Sequence, residues 1–418
     1  MRNWAGNVTF STTDVRHPGS TEELQQVVAG ARHVRALGTG HSFNPIADTT
    51  GTLVSTRDLG LGVEVLAGGE VAVVPGGATY AEVARALHER GLALHNMGSL
   101  PHISVAGAVS TATHGSGNTN GSLATAVVGL ELVLADGSLL EVHEGDPRFA
   151  GMVVALGALG VVTRLWLRVE PAYDVRQEVV TDVHFDAAVE QVDAILASAH
   201  SVSIFSSFAR PDLLDSIWRK HRVDPDRAEA EVEPGPWGGQ PATAAQHPLR
   251  GMDASAATEQ LGRPGPWHQR LPHFRTDVTP SVGDELQSEL FLPREHAAAA
   301  LRVLHDRSAD IAGALQVFEM RTIAADDLWL SPFHGRDTVA VHATWVSDLA
   351  LVRPALAALE EAVSRFDPRP HWGKVTLGFD ADRLAGLYPS LPRFRALADD
   401  LDPERCFVND HLTRLGLR

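Results

Sequence analysis

The sequence predicts an α+β protein of two domains. Its 418 residues are many for a single domain, and an apolar share of 44% is ample for packed cores. Helices alternate with short strands through the first half, which favours an α+β arrangement over a doubly wound parallel sheet. The second half repeats the order strand, helix, strand, which indicates a sheet with helices on one face. Glu170-Pro171 marks the expected boundary between the domains.

The elements of the first half follow from local patterns. A helix at 21–31 has acidic residues in its first turn, and a second at 79–90 has an apolar face and ends before Gly91. Asp136-Gly137 is a turn signal between two strands. A third helix is expected at 148–156, and strands are expected at 34–37, 61–66, 71–74, 92–94, 127–134, 138–143 and 160–169.

The second half shows the same kinds of signal. Residues 222–248 are rich in Pro, Gly, Ala and Glu and show no periodicity, so we expect a long surface loop there. Strands are predicted at 175–180, 202–208, 284–292, 314–323 and 338–345, and helices at 185–198, 293–306 and 351–366.

Charge and composition exclude several classes of function. A formal net charge of −17 argues against binding nucleic acid or an anionic membrane surface, because both require clustered Lys and Arg. Cys406 is the only cysteine, so an internal disulfide and a cysteine metal cluster are excluded, and we expect no metal site. No stretch is apolar for long enough to span a membrane and no secretory signal is apparent, which predicts a cytoplasmic protein.

A turn with two glycines is the first candidate ligand site. The strand at 34–37 breaks into the sequence Gly-Thr-Gly-His. Gly38 and Gly40 let the backbone approach a ligand closely, and successive N–H groups in such a turn can bind an anion. The third glycine of a nicotinamide-type G-x-G-x-x-G motif is missing, because Phe43 stands in its place. His41 could reach whatever the turn binds, although an ordinary connection between strands would look similar.

The second candidate is the segment 96–117, whose residues are almost all small or hydroxylated and include four glycines. Such a segment builds little core of its own and suits a backbone wrapped against a large flat or anionic ligand. Its candidate hydrogen-bond donors are Ser99, Ser104, Ser110 and Thr111. A low-complexity loop is the alternative, but the run is too apolar and too long for an ordinary solvated loop.

Two strands of the second half carry polar side chains on one face. Alternation along 314–323 puts Glu319 and Arg321 on the same face, and His342 and Thr344 share a face in the same way. One sheet could therefore present a carboxylate, a guanidinium, an imidazole and a hydroxyl to a common cavity. On the pattern alone, the more common explanation is a solvated face with surface ion pairs.

Taken in order, these segments resemble the vanillyl-alcohol-oxidase type of FAD-linked oxidases, and within it the alditol oxidase (xylitol oxidase) group. The resemblance implies a PCMH-type FAD-binding domain at 1–171 and a substrate domain at 172–418 with a mainly antiparallel sheet covered by helices. It also implies that about the last 40 residues return to the first domain. The motifs that carry it are at 3–7, 38–44, 99–107, 157–163, 318–321, 342–345 and 370–374.

The resemblance also implies roles for single residues. His41 matches the histidine that carries FAD covalently through the 8α carbon of the flavin. Gly98 lies where related enzymes control the approach of oxygen, and a missing side chain there favours an oxidase over a dehydrogenase. The other matching cofactor positions are Ala36, Leu37, Gly38, Thr39, Gly40, Ser42, Ser99, Ser104, Gly107, Ala108, Val109, Ser110, Thr111, His114, Val162 and His371.

The implied substrate and catalytic positions lie in the second half, apart from Ser99. Arg321 and Lys374 near the flavin would favour the anionic reduced ring and the developing alkoxide. Glu319 or a neighbouring base could help to remove the hydroxyl proton. Without the resemblance, Lys374 would be read as a surface residue. The full set is Glu319, Arg321, Lys374, Thr344, Ser99 and His342.

The implied activity is oxidation of the terminal hydroxyl of a polyol, such as xylitol or sorbitol, to the aldose by hydride transfer to flavin N5, with O2 reduced to H2O2. A monomer is expected, with the polyol and O2 as its partners. An aldonolactone oxidase or dehydrogenase of the gulonolactone or arabinonolactone type is the alternative, since it shares the Glu-x-Arg and His-Trp-x-Lys motifs. The matches at 99–107 and 342–345 favour alditols. A flavin-loaded sugar-binding protein without turnover is a third reading, which the full set of charged pocket residues disfavours.

Overall fold

The computed structural model describes residues 1–223, 235–278 and 284–418. Its first half contains two small sheets. β1, β3 and β2 form a parallel sheet in that order, and β4, β5, β9, β7 and β8 form an antiparallel one. The strands are β1 Val15–Arg16, β2 Val34–Ala36, β3 Thr52–Val54, β4 Glu64–Val65, β5 Val71–Pro75, β6 Leu92–Ala93, β7 Val127–Val133, β8 Leu139–His143 and β9 Val161–Arg168, and the helices are α1 Thr21–Ala29, α2 Tyr80–His88, α3 Val105–Ser110 and α4 Phe149–Met152.

The second half is built on one large antiparallel sheet, which confirms the predicted α+β class. Its strand order is β14-β11-β13-β12-β17-β18-β16-β19, with β15 beside β11, while β10 pairs with β6. The strands are β10 Glu170–Pro171, β11 Asp174–His184, β12 Ser201–Ser206, β13 Leu213–Arg222, β14 Gln240–Pro241, β15 Gly265–Pro266, β16 Glu285–Pro293, β17 Leu315–Ile323, β18 Thr338–Val346 and β19 Arg369–Pro370. The helices are α5 Phe185–Glu190, α6 Val192–Leu196, α7 Ala297–Asp306, α8 Ser308–Ile311, α9 Leu349–Val363, α10 Ala381–Leu387, α11 Leu391–Leu401 and α12 Asp410–Arg414.

Two predicted helices differ from the structure, one strand was not predicted, and one predicted loop contains a short strand. The helix expected at 148–156 covers only α4, because Leu156 and Gly157 adopt positive φ and 153–160 continue as turns inside the core. The helix expected at 185–198 breaks at Gln191 into α5 and α6. Strand β13 was not predicted. The loop expected at 222–248 contains β14, and its residues 224–234 lie outside the described residues.

The two faces of the large sheet differ. Apolar side chains on one face, such as Ile204, Met320 and Val341, pack into the main core together with helices α5, α7 and α9. On the other face, strand register puts Glu289, His342, Glu319 and Phe205 in one row across β16, β18, β17 and β12. This row includes two carboxylates, and because both lie below 6% exposure they can persist only if they are paired or bind a ligand.

The end of the chain packs against the first half. Asn409 donates its side-chain amide to the carbonyl oxygens of Pro45 and Ile46, both at 3.1 Å. Arg35 donates to the carbonyl oxygen of Phe407 at 2.8 Å. These bonds hold the segment that precedes α12 against β2 and the turn at 45–47. None of the helices in the described ranges is long and apolar enough to cross a membrane.

Candidate active site

A cavity of about 630 Å³ lies between the two halves of the chain. This volume is in the range of small-molecule and cofactor sites. Its lining includes all six predicted substrate and catalytic residues and every predicted cofactor residue except Val109. Val109 is instead buried on the core side of α3, at 2% exposure. The two groups of predicted residues, which are distant in sequence, therefore line the same cavity.

The turn that carries His41 is fixed by the N-terminal segment. Trp4 stacks on the His41 ring with centroids 4.9 Å apart, and its main-chain N–H donates to the Gly40 carbonyl at 2.9 Å. Asn3 donates to the carbonyl oxygen of Ser42 at 2.9 Å. Burial lowers the pKa of His41 to about 4. The imidazole is therefore neutral at physiological pH, with a nucleophilic ring nitrogen available.

The same turn is bonded directly to the Lys374 loop. The main-chain N–H of Phe43 donates to the Gly373 carbonyl at 2.7 Å. The Asn44 amide donates to the carbonyl oxygens of Trp372 and Lys374 at 2.8 and 2.9 Å. Three hydrogen bonds thus set the position of Lys374 relative to the His41 turn.

The segment 96–117 forms the side of the cavity that fits a flat anionic group. A Cβ added to Gly107 would lie 2.8 Å from Ser104 Oγ, and one added to Gly38 would clash with the same atom. Gly40 adopts φ +70°, which a side chain would strain. The buried Ser99 Oγ makes no hydrogen bond to the residues that the structure describes. The closely approached backbone and the unpaired hydroxyl are the features that a bound dinucleotide would use.

Glu319 and Arg321 form the centre of the charged wall. Arg321 donates to Glu319 Oε2 at 2.6 Å, and His273 Nε2 lies 2.8 Å from Glu319 Oε1. Burial alone would raise the pKa of Glu319, but Arg321 and His273 outweigh burial and hold that pKa well below its usual range. The carboxylate is therefore a hydrogen-bond acceptor and a poor base. Arg321 Nε is buried without a bond to any described residue, which leaves it for a ligand.

Lys374 belongs to a second charged group in the same wall. Its ammonium lies 2.7 Å from Glu289 Oε2 and 2.8 Å from His342 Nδ1, and His342 Nε2 lies 3.1 Å from Thr344 Oγ1. Burial lowers the pKa of Lys374, although the Glu289 carboxylate acts in the opposite direction. Burial and the adjacent ammonium lower the pKa of His342, so its ring is neutral and orients the Thr344 hydroxyl.

Two further histidines lie on the cofactor side of this group. His114 Nε2 is 3.2 Å from Glu289 Oε1, and the main-chain N–H of Gly373 donates to His371 Nδ1 at 3.0 Å. Burial and Lys374 hold the pKa of His371 well below its usual range. The His371 ring is thus neutral, and Lys374 is a cation beside it.

Sequence reasoning missed Glu289 and His273, which also line the cavity. Glu289 had a signal, because Glu285, Gln287 and Glu289 alternate along β16 as Glu319 and Arg321 do along β17. His273 had none. It lies in an irregular segment whose contacts to Ser99 and Glu319 join residues far apart in sequence.

Comparison with known proteins agrees with this geometry. A family model described as "FAD binding domain" matches residues 14–143, and one described as "D-arabinono-1,4-lactone oxidase" matches residues 284–415. An alditol oxidase of Streptomyces sp. is 49% identical over 99% of this chain and 98% of its own length. An L-gulono-1,4-lactone dehydrogenase of Mycobacterium tuberculosis is 31% identical over the same shares.

Solved structures show the same fold at low identity. Cholesterol oxidase from B. sterolicum superposes with a TM-score of 0.78, covering 99% of this chain and 96% of that one, at 14% identity. At this identity the similarity concerns the architecture alone.

Proposed function

The chain belongs to the family of FAD-linked oxidases that includes alditol oxidase, and we propose that it oxidises the terminal hydroxyl of an alditol to the aldehyde with O2 as electron acceptor. The observation that carries this proposal is the single cavity that joins the His41 turn to the wall of Glu319, Arg321 and Lys374. Identity supports the alditol reading, since the alditol oxidase is 49% identical and the lactone dehydrogenase 31%.

Each wall residue has a role that suits an uncharged substrate. A polyol consists of hydroxyl donors and acceptors, so its binding needs a paired group for each of them. The Glu319 carboxylate accepts a hydrogen bond from a substrate hydroxyl, and Thr344 and Ser99 offer hydroxyls of their own. Arg321 and Lys374 stabilise negative charge on the oxygen as it loses its proton. Bound FAD supplies the hydride acceptor, and O2 returns it to the oxidised state with release of H2O2.

The cofactor side of the proposal assigns FAD to the His41 turn and the segment 96–117, with a covalent bond from the His41 ring to the flavin. The neutral imidazole, stacked on Trp4, supports this assignment. We expect the yellow colour to stay with acid-precipitated wild-type protein and to wash out of His41→Ala. His17→Ala, on an exposed histidine, is the control and should retain the colour. Colour retained in the His41→Ala precipitate would contradict the covalent assignment.

Oxidation of an aldonolactone is the second candidate, because the family model that matches 284–415 is named for a lactone oxidase. Peroxide release is measured with alditols, namely xylitol, sorbitol, mannitol and glycerol, and with gulono- and arabinono-lactones. Faster release with alditols is the expected result. Release with lactones alone would favour the second candidate, and flavin that neither class reduces would favour a binding protein without turnover.

The domain limits 1–171 and 172–418, with the end of the chain returning to the first domain, remain part of the proposal. The bonds from Asn409 and Arg35 support the return. We further propose that the protein acts as a monomer in the cytoplasm. Light scattering and cell fractionation test these two points.

A further inference from the structure

One of the two lysines of the chain lines the cavity, and the other lies behind it, in contact with the lining residue His273. The sequence contains 35 Lys and Arg residues together, and only Lys220 and Lys374 are lysines. Lys220 is 1% exposed, and Lys374 is bonded to Glu289 within the wall. Lys374 belongs to the proposed reaction, whereas Lys220 has had no role so far. Burying an ammonium group costs free energy unless hydrogen-bond partners replace the lost water. The partners of Lys220 therefore indicate the role of this lysine.

The Lys220 ammonium is hydrogen-bonded to an irregular segment of the chain beside the cavity. It lies on the cavity face of β13 and donates to the main-chain carbonyl oxygens of residues 270, 271 and 272, at 2.9, 2.6 and 2.8 Å. Its Nζ is also 3.3 Å from His273 Nδ1. Residues 271–273 belong to no helix or strand, so their conformation depends on such bonds, to which Thr258 adds donations to the carbonyl oxygens of Pro272 and His273 at 2.8 and 2.9 Å.

His273 connects this lysine to the substrate wall. His273 Nε2 lies 2.8 Å from Glu319 Oε1, and because a carboxylate only accepts, the ring proton is on Nε2 while the Nδ1 lone pair faces Lys220 at 3.3 Å. The main-chain N–H of His273 donates to the Ser99 carbonyl at 3.2 Å. The segment is therefore held between the cofactor side and the charged wall, with its imidazole directed at the carboxylate.

We propose that Lys220 is a positioning residue of the active site, which fixes 270–273 and holds His273 as the Nε2–H tautomer that donates to Glu319. The inference rests on the proposed role of Glu319 in binding the alcohol. Lys220 itself gives up no proton during the reaction. It acts by keeping one orientation of the imidazole and, through the imidazole, one orientation of the carboxylate shared with Arg321.

The charges around His273 make the role measurable. Lys220 faces it from β13, Glu319 and Arg321 face it from β17, and β12 contributes the neutral Ser203 hydroxyl at 3.5 Å. Burial lowers the pKa of His273 to about 4, and Lys220 adds to this lowering while Glu319 opposes it. Without the ammonium, the imidazole takes up a proton at higher pH and loses the defined tautomer.

The test compares Lys220→Met in two backgrounds. For wild type and Lys220→Met, kcat/KM with xylitol is measured against pH, and we expect the acid limb to move up by about one pH unit in the variant. In a His273→Gln background the glutamine amide still donates to Glu319 but does not titrate, so Lys220→Met should cause no shift there. Arg336→Met is the control: this cation also donates to main-chain carbonyls, of Asp367 and Phe291, but neither of these residues lines the cavity, whereas Lys220 contacts the lining residue His273.

A second readout needs no turnover. The Trp218 ring centroid is 5.4 Å from that of His273, and a protonated imidazole quenches indole fluorescence. The resting holoenzyme should show an acid step in fluorescence that moves up in Lys220→Met and is missing from His273→Gln. A Lys220→Met profile lowered at every pH but not shifted, or a shift independent of His273, overturns the proposal.

Two outcomes separate this proposal from the proposed function. If Lys220→Met does not fold, His273→Gln still decides, since an unchanged fluorescence step in that variant contradicts the assignment. If wild type oxidises no alditol, the proposed function fails, while the fluorescence step still tests the Lys220–His273 pair.

Discussion

Replacing Glu319 by glutamine tests the charged wall with a change of one atom. The wild-type carboxylate accepts from Arg321 at 2.6 Å and from His273 at 2.8 Å. A glutamine amide has one oxygen and one NH2 group, so one of these two donors must face another donor. Arg321 also loses its counter-ion inside a buried wall.

The expected magnitude follows from these contacts. A hydrogen bond to a charged group contributes about 1.5–3 kcal/mol. At about 1.4 kcal/mol for each tenfold in rate, the variant should reduce its flavin with xylitol about 10- to 150-fold more slowly than wild type. Because the pKa of Glu319 lies well below its usual range, the carboxylate should contribute no limb to the rate profile near neutral pH.

The assay is anaerobic stopped-flow measurement of flavin reduction by xylitol. Glu360→Gln is the matched control: Glu360 is also buried and accepts from two main-chain N–H groups, of Leu377 and Gly378, but does not line the cavity. A Glu319→Gln rate constant within about twofold of wild type, or an equal loss in Glu360→Gln, would refute the reasoning.

Three further outcomes are expected. Gly38→Ala should bind less FAD because its Cβ clashes with Ser104 Oγ, and the double variant with Ser104→Ala should regain FAD. The FAD content is measured as flavin absorbance per protein, and a Gly38→Ala variant with wild-type FAD content contradicts the prediction. Gly98→Ala should fold normally, since its Cβ comes no closer than 3.7 Å to a neighbour, and should slow reoxidation by O2 but not anaerobic reduction. Unchanged reoxidation would remove the proposed oxygen route. The melting temperature should fall between about pH 6.5 and pH 4, because burial holds the pKa of His200, His273 and His411 at about 4 and the unfolded chain takes up protons first. A flat profile in this window contradicts that account.

Local patterns in the sequence were sufficient for much of the fold and of the site. Alternation placed Glu319 and Arg321 on one face of β17, and glycine spacing located the turn that carries His41. These predictions depend on a strand period or a backbone requirement, which neighbouring residues determine. The antiparallel pairing of the large sheet agrees with the family resemblance.

The remainder depends on contacts between distant segments. Strand β13 was missed because Arg219 and Lys220 break its apolar pattern, and both are buried against partners elsewhere in the chain. Lys220 is compensated by carbonyl oxygens some fifty residues later. A role for His273 can be recognised only when the fold has placed 270–274 against Ser99 and Glu319. Rules that use only neighbouring residues in the sequence cannot predict such long-range pairs.

Anaerobic addition of xylitol to the purified holoenzyme tests the central claim most directly. The account predicts loss of the flavin's yellow absorbance with one flavin reduced per xylitol oxidised, and its return with H2O2 release when O2 is admitted. A flavin that stays oxidised with xylitol and every other alditol, but is reduced by an aldonolactone, would contradict it.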